Sequence, residues 1–392
     1  MFTKLNYLQE EGGVLRNKKI TKPCQTAYYV ILPRGLIMSL SVCLIVKNEQ
    51  PVIARCLSCV KKFADEIIVV DTGSTDATAE VAKKFTDKIY SYEWEDDFAS
   101  ARNFALEKAS CEYVMWLDAD DVVSDENADK IKNLVENQSF DMAFLQYAVA
   151  FDGEVSTYVY YRERIFKRCK NYRFEGAVHE AVSPQGKIIY SDAQIWHKKL
   201  GSGEPLRNLR ILQKRIALGI CLNEREKFYY GRELLFNGMY RESIAVLEDF
   251  LNGNGWVENK IEACINLYRA YLGIGDEKKA ISALFGSFAF DIPRGEACCI
   301  LGDYFARQNL VNCAIYWYKS ALSGVNNLKN GGFVNLDYCG FIPNIQLCVL
   351  YDRLGDKIKA NEYNEAAGKI KPHDKNYLAN KQYFQTVIGK EV

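Results

Sequence analysis

The sequence predicts an α/β sheet domain followed by an all-α array of helical repeats. Three observations predict it. Between residues 38 and 204, apolar runs ending in acids alternate with stretches of helical spacing, the mark of βαβ units in a Rossmann-like sheet domain. From 205 to 392 those runs stop, and a helix–turn–helix pattern recurs at an offset of 34 residues. Tyr (25) and Phe (20) are abundant, as stacked helix pairs need for packing knobs. Residues 1–37 lack a clear period and read as an N-terminal extension with no assigned task.

The elements follow in order. SVCLIV (41–46) reads as a buried strand with KNE at its end, and 51–64 as a helix with Val52, Ile53, Cys56, Cys59, Val60 and Phe63 on one face. IIVVD (67–71) is a second strand, leading through the turn TGSTD into a helix over 77–86. A strand over 88–93, a helix over 100–109 and the strand YVMWLD (113–118) complete the alternation, with AQIWHKKLG (193–201) as a later strand. Ligands of such sheets bind at the carboxyl ends of the strands. KNE, Asp71 and Asp118 all fall there.

In the second half, Leu267, Tyr271, Gly275, Ala280 and Leu284 set a pattern that Leu301, Gly302, Phe305, Asn309, Ala314, Tyr318 and Ala321 repeat. Leu347, Tyr351, Gly355, Ala360, Ala367 and Pro372 repeat it again after a Gly/Asn-rich insert at 324–337, and a weaker copy begins at Tyr230. The spacing resembles the tetratricopeptide pattern. A helix pair cannot bury its apolar face alone, so neighbours stack into an array with a concave surface.

Composition narrows the function. Fifty basic against fifty acidic residues leave no basic field for a general nucleic-acid surface. With 48% hydrophobic and 26% charged residues the chain is not disordered. The apolar run AYYVIL is six residues, far from a membrane span. The 13 cysteines are odd in number and scattered through apolar patterns, which fits reduced thiols and a cytoplasmic setting. Cys56 and Cys59 form one C-x-x-C, but no second pair stands at zinc spacing.

The densest chemical signal is WLDADDVV (116–123). Asp118, Asp120 and Asp121 crowd a strand end, and only a cation or exposure to water relieves such repulsion. Hard oxygens suit Mg²⁺ or Mn²⁺ with a diphosphate completing the shell. Asp71 can accept hydrogen bonds from a base or ribose, or cap its turn. Arg102, in DFASARNFAL, can reach a phosphate or pair with nearby acids. His179 and Glu180 in RFEGAVHEAV, and His197 in AQIWHKKLG, follow the acidic run. His197 can supply a further metal ligand, and Glu180, with His179 second, is the candidate general base. Trp116 and Trp196 are candidate sugar-facing aromatics.

VCLIVKNE, IIVVDTGSTDAT, DFASARNFAL and WLDADD, in this order, closely resemble family 2 glycosyltransferases of the GT-A fold, which implies a Rossmann-like mixed sheet. The resemblance covers about residues 40–200. It implies a UDP-sugar donor and inversion at the anomeric carbon. It also implies a nucleotide-sugar site at Val46, Asn48, Glu49, Asp71, Ser74, Arg102, Asp118 and Ala119. Asp118-Ala119-Asp120 would be the D-x-D element, with Asp120 the principal metal ligand beside Asp118 and His197. With YYGREL (229–234), the later motifs look like the bacteriocin S-glycosyltransferase branch. The expected acceptor is then a peptide or protein side chain held by the repeats, which could also form a homodimer. A saccharide or lipid-linked glycan acceptor is the alternative, and a non-catalytic scaffold the alternative of another class.

Overall fold

The computed structural model describes residues 40–152, 155–201, 204–323, 329, 331–332 and 334–388. The N-terminal extension and much of the Gly/Asn-rich insert lie outside them. Residues 38–392 gather into one compact unit, so sheet and helices pack together.

The predicted alternation is present as β1 (Leu40–Val46), α1 (Ile53–Val60), β2 (Glu66–Asp71), α2 (Thr78–Ala82), β3 (Ile89–Ser91), α3 (Phe98–Glu107) and β4 (Tyr113–Leu117). The four strands lie parallel in the order β3-β2-β1-β4. Helix α2 is shorter than the expected 77–86. The Thr86 hydroxyl donates to the Ile67 carbonyl at 2.7 Å and accepts from the Lys88 N–H, drawing the chain onto the sheet early. Helix α3 begins earlier than expected because the Asp97 carboxylate caps it, accepting from the Ser100 N–H at 2.8 Å.

Beyond β4 the sheet is no longer parallel. β5 (Asp121–Val122), α4 (Asp125–Asn137), the long hairpin β6 (Met142–Asp152) and β7 (Val155–Lys167), a small pair β8 (Phe174–Glu175) and β9 (Ala181–Val182), and β10 (Ile188–His197) follow. β7 runs antiparallel to β4 and β6, β10 is parallel to β6, and β5 pairs antiparallel with β10. That last register sets His197 directly opposite Asp121. A residue at the end of β10 is thereby brought to the acidic turn that follows β4.

The second half is helical. α5 (Arg207–Ala217) precedes the pairs α6 (Glu224–Phe236) with α7 (Tyr240–Asn252), α8 (Val257–Gly273) with α9 (Glu277–Gly286), and α10 (Gly295–Arg307) with α11 (Val311–Ser323). A short strand, β11 (Val334–Asn335), then leads to α12 (Phe341–Arg353) with α13 (Lys357–Ile370), and α14 (Lys375–Ile388) closes the described array. Gly275 and Gly355, the turn glycines of the repeat pattern, adopt φ of 79° and 83°, a left-handed conformation that costs glycine little. Phe228, Phe250 and Tyr318 are fully buried knobs, which accounts for part of the aromatic excess.

Several joints tie the halves together. Ala177 and Val178 pack against Ile211 and Leu212 of α5. β11, from the insert between repeats, adds itself to the main sheet by pairing Val334 with Val159 of β7. Nothing in the sequence pattern announced that strand.

Candidate active site

The acids at the end of β4 are built into an ion-pair network. Asp118 Oδ1 accepts from Arg102 Nη2 at 2.7 Å, and Arg102 Nε donates to Glu180. The guanidinium lies over the Trp116 ring, 4.3 Å from its centroid. Burial would raise the Asp118 pKa, but Arg102 and then Arg164 hold it far below the usual carboxylate range. Asp121 is fully buried. Its Oδ2 takes the Asp118 N–H at 3.0 Å and Arg164 Nη1 at 3.3 Å, while Oδ1 takes the Tyr147 hydroxyl at 3.0 Å. His197 Nδ1 lies 2.8 Å from Tyr147 Oη, 3.2 Å from Asp120 Oδ1 and 3.4 Å from Asp121 Oδ1.

A cavity of about 360 Å³ opens beside Asp120. Asn48 and Glu49 from the KNE turn line it, with Trp94, Phe98, Lys47, Lys199 and Arg207. Asn48 turns the chain there at φ 55°. Its N–H donates to Ser74 Oγ at 3.0 Å, and its side-chain oxygen takes the Thr75 N–H at 2.8 Å. Asp71 Oδ1 accepts from the Ser74 N–H at 2.9 Å, and the Val46 carbonyl takes the Thr72 N–H at 2.9 Å. Asp71, Ser74 and Val46 thus shape the wall behind Asn48. Ala119 is buried under the acidic turn.

Several expectations change. Arg102 does not line this cavity. It is buried, with two carboxylates taking its donors, and none of the acids preceding it is among those partners. Glu180 is likewise buried, with its carboxylate engaged by Arg102. His179 turns the other way, its Nε2 2.9 Å from Glu233 of α6 and its ring stacked on Tyr229. Trp116 lies inside the protein as a platform for Arg102 and Arg164, and the Trp196 Nε1–H is bound to Gln194. The aromatics that do face the cavity are Trp94 and Phe98, hidden in the sequence because EWEDDF reads as an acidic turn. Lys199 and Arg207 are further additions. The KK pair after His197 is a trace of Lys199 alone.

With this geometry in view, residues 41–190 match the model of glycosyl transferase family 2. That stretch is a family 2 glycosyltransferase domain. The chain is 30% identical over 226 residues to the SPbeta prophage-derived glycosyltransferase SunS of Bacillus subtilis, an alignment covering 53% of this chain and 52% of SunS. It is 33% identical over 157 residues to a TPR repeat-containing protein of Synechococcus elongatus, covering 40% of this chain and 38% of that one. The chain thus spans about half the length, or less, of these curated relatives. Among solved structures, Staphylococcus aureus TarS 1-349 in complex with UDP-GlcNAc shares 15% identity at a TM-score of 0.36, covering 62% of this chain and 89% of that one.

The transferase domain offers donors suited to a hard divalent cation. Asp118, Asp121 and His197 place ligand atoms within 4.8 Å of one another, and Asp120 adjoins His197. The corner also carries surplus negative charge. Burial, and then the charges of Asp120 and Asp118, push the Glu49 pKa up to about 7. For His197, burial pulls the pKa down, but the hydrogen bonds and charges of Asp120 and Asp121 outweigh this and raise it to about 10. Both shifts mark a place where added positive charge is favourable. Among the described residues, no helix is long and apolar enough to cross a membrane.

Proposed function

We propose that the chain is a metal-dependent, inverting enzyme that moves a sugar from a UDP-sugar to a peptide or protein side chain, a Cys thiol or a Ser/Thr hydroxyl. The observation that carries this reading is the meeting of Asp118, Asp120 and His197 beside a cavity that also presents cations and aromatic faces. Lys47, Lys199 and Arg207 suit a diphosphate, and Trp94 and Phe98 offer surfaces for a base or sugar ring. A bound Mn²⁺ or Mg²⁺ would supply Lewis-acid stabilisation of the departing UDP. The chain's own groups then orient the donor, so that the acceptor sulfur or oxygen forms its bond to the anomeric carbon as the bond to UDP breaks.

Support for a large acceptor comes from a second cavity, of about 800 Å³, between β7 and the first repeats. Tyr158, Tyr160, Tyr229 and Trp256 line it with His179, whose neighbour Glu180 reaches toward the acidic cluster. The His179-Glu180 turn therefore stands between the two spaces. Glu180 remains our assignment for the base. Its carboxylate is already engaged by Arg102. That favours an acceptor that gives up its proton readily, a thiol, since free Cys titrates at about 8.5. The ring-rich lining also suits a saccharide, which keeps a glycan acceptor as the second reading.

The test is a panel of nucleotide sugars with Mn²⁺ or Mg²⁺, followed by UDP release with peptide or oligosaccharide acceptors. We expect turnover with a UDP-sugar and its loss by about 10²-fold or more in Asp120→Ala. Full turnover in that variant would sink the reading, and preference for an oligosaccharide would replace the peptide.

A further inference from the structure

The sequence points to Asp118, Asp120 and His197 as metal ligands, whereas proximity alone groups Asp118, Asp121 and His197. The surroundings of Asp121 decide between them. Its carboxylate is only 1% exposed, and both oxygens are spent: Oδ1 on Tyr147 and the His197 side, Oδ2 on the Asp118 N–H and Arg164. Arg164 is itself fully buried, clasped between the Trp116 and Tyr147 rings at 3.7 and 4.2 Å from their centroids. A cation so enclosed cannot leave, and it fixes Asp121 in place. His197, by contrast, is partly open. All its hydrogen bonds run through Nδ1, and Nε2 makes none among the described residues.

We propose that Asp121 and Tyr147 form a positioning relay for His197 rather than part of the ligand set. In this relay His197 Nδ1 is assigned the proton and donates to Tyr147 Oη, 2.8 Å away, while the Tyr147 hydroxyl donates to Asp121 Oδ1 at 3.0 Å. This chain fixes the ring orientation and the tautomer, and it leaves the Nε2 lone pair without a protein partner among the described residues, available to a divalent cation. Metal-binding histidines characteristically hand their other ring N–H to such a fixed acceptor. Here a tyrosine is interposed, and an arginine locked between aromatic rings anchors the far end. The inference rests on the metal-dependent reading above, and it goes further by assigning Asp121 and Tyr147 to support and Nε2 to the cation.

The experiment is Mn²⁺ binding to the full chain, read from the free-ion paramagnetic resonance signal without nucleotide, for wild type, Tyr147→Phe, Asp121→Asn, His197→Ala and the Tyr147→Phe/His197→Ala double variant. Tyr147→Phe should weaken Mn²⁺ binding by about tenfold or more, as loss of such outer partners does. It should add nothing on the His197→Ala background, because both changes cut one path. Asp121→Asn should weaken binding like Tyr147→Phe; if it fails to fold, the tyrosine cycle decides alone. Unchanged Mn²⁺ affinity in Tyr147→Phe, or losses that simply add in the double variant, would overturn the relay. A wild-type chain that binds no Mn²⁺ would instead overturn the metal reading beneath it.

Discussion

Arg102 and Asp118, 16 residues apart in sequence, meet at 2.7 Å, and the same guanidinium holds Glu180. One buried cation therefore joins the acidic strand end, where we propose the metal binds, to the turn we propose serves the acceptor. Removing it leaves the buried Glu180 carboxylate and the partly buried Asp118 carboxylate without their shared cation. Arg102→Met should lower stability by roughly 3–5 kcal/mol in urea unfolding. Arg102→Lys keeps the charge but not the forked donor, so it should recover part of that stability while UDP release stays depressed. If Arg102→Lys turns over like wild type, charge alone suffices and the forked geometry is irrelevant.

The strand ends were legible because packing gives an apolar run no reason to close on an acid, and the repeats because their spacing recurs. The resemblance implied a mixed sheet, but the strands and register of its antiparallel half were not legible. YYRERIF on β7 reads as an ordinary mixed strand, and only its register beside β4 shows that Arg164 lies under the acids. The run DADD likewise does not say which carboxylate turns inward. The hydrogen bond from the Asp118 N–H to Asp121 Oδ2 decides it. Arg102 stood out in the sequence, but its burial did not, because its partners Asp118 and Glu180 arrive from separate elements.

The repeat array makes its own demand at Gly302. A Cβ there would stand 2.7 Å from the Tyr318 ring, which is completely buried and held by Asp303. The ring cannot withdraw without opening the interface between α10 and α11. Gly302→Ala should cost about 1–3 kcal/mol through overpacking, seen as a lower Tm. An unchanged Tm would mean the helix pair is less tightly closed than this contact implies.

Acid should loosen the sheet through Glu66. Burial alone would raise its pKa. Hydrogen bonds from Lys88, Ser41 and Ser110 prevail and hold it at about 2. A folded pKa below the unfolded value of about 4.3 stabilises the native state above that value. The contribution fades as pH falls from roughly 4 toward 2. Because Lys88 is half exposed, we expect about 2 kcal/mol at neutral pH rather than the full shift. Glu66→Gln should lower the urea midpoint at pH 7 and have a much smaller effect near pH 2. An equal loss at both pH values would assign the effect to packing instead of ionisation.

His179 holds a left-handed backbone, φ 53°, that a non-glycine residue keeps only under constraint. The constraint comes from the helical half. Tyr229 stacks on the ring at 4.0 Å and 13°, Glu233 takes Nε2, and Arg225 Nε donates to the His179 carbonyl at 2.9 Å. Glu180 follows directly, so α6 sets where that carboxylate points. Tyr229→Ala should release the turn. Under the proposed function, transfer to the acceptor should fall by about tenfold, since a small misplacement is costly. Hydrolysis of the UDP-sugar by water, which needs no acceptor, should change by less than about twofold. The ratio of the two rates is the measurement. If both rates drop together, the turn serves the donor site, and the helices act on catalysis rather than on the acceptor.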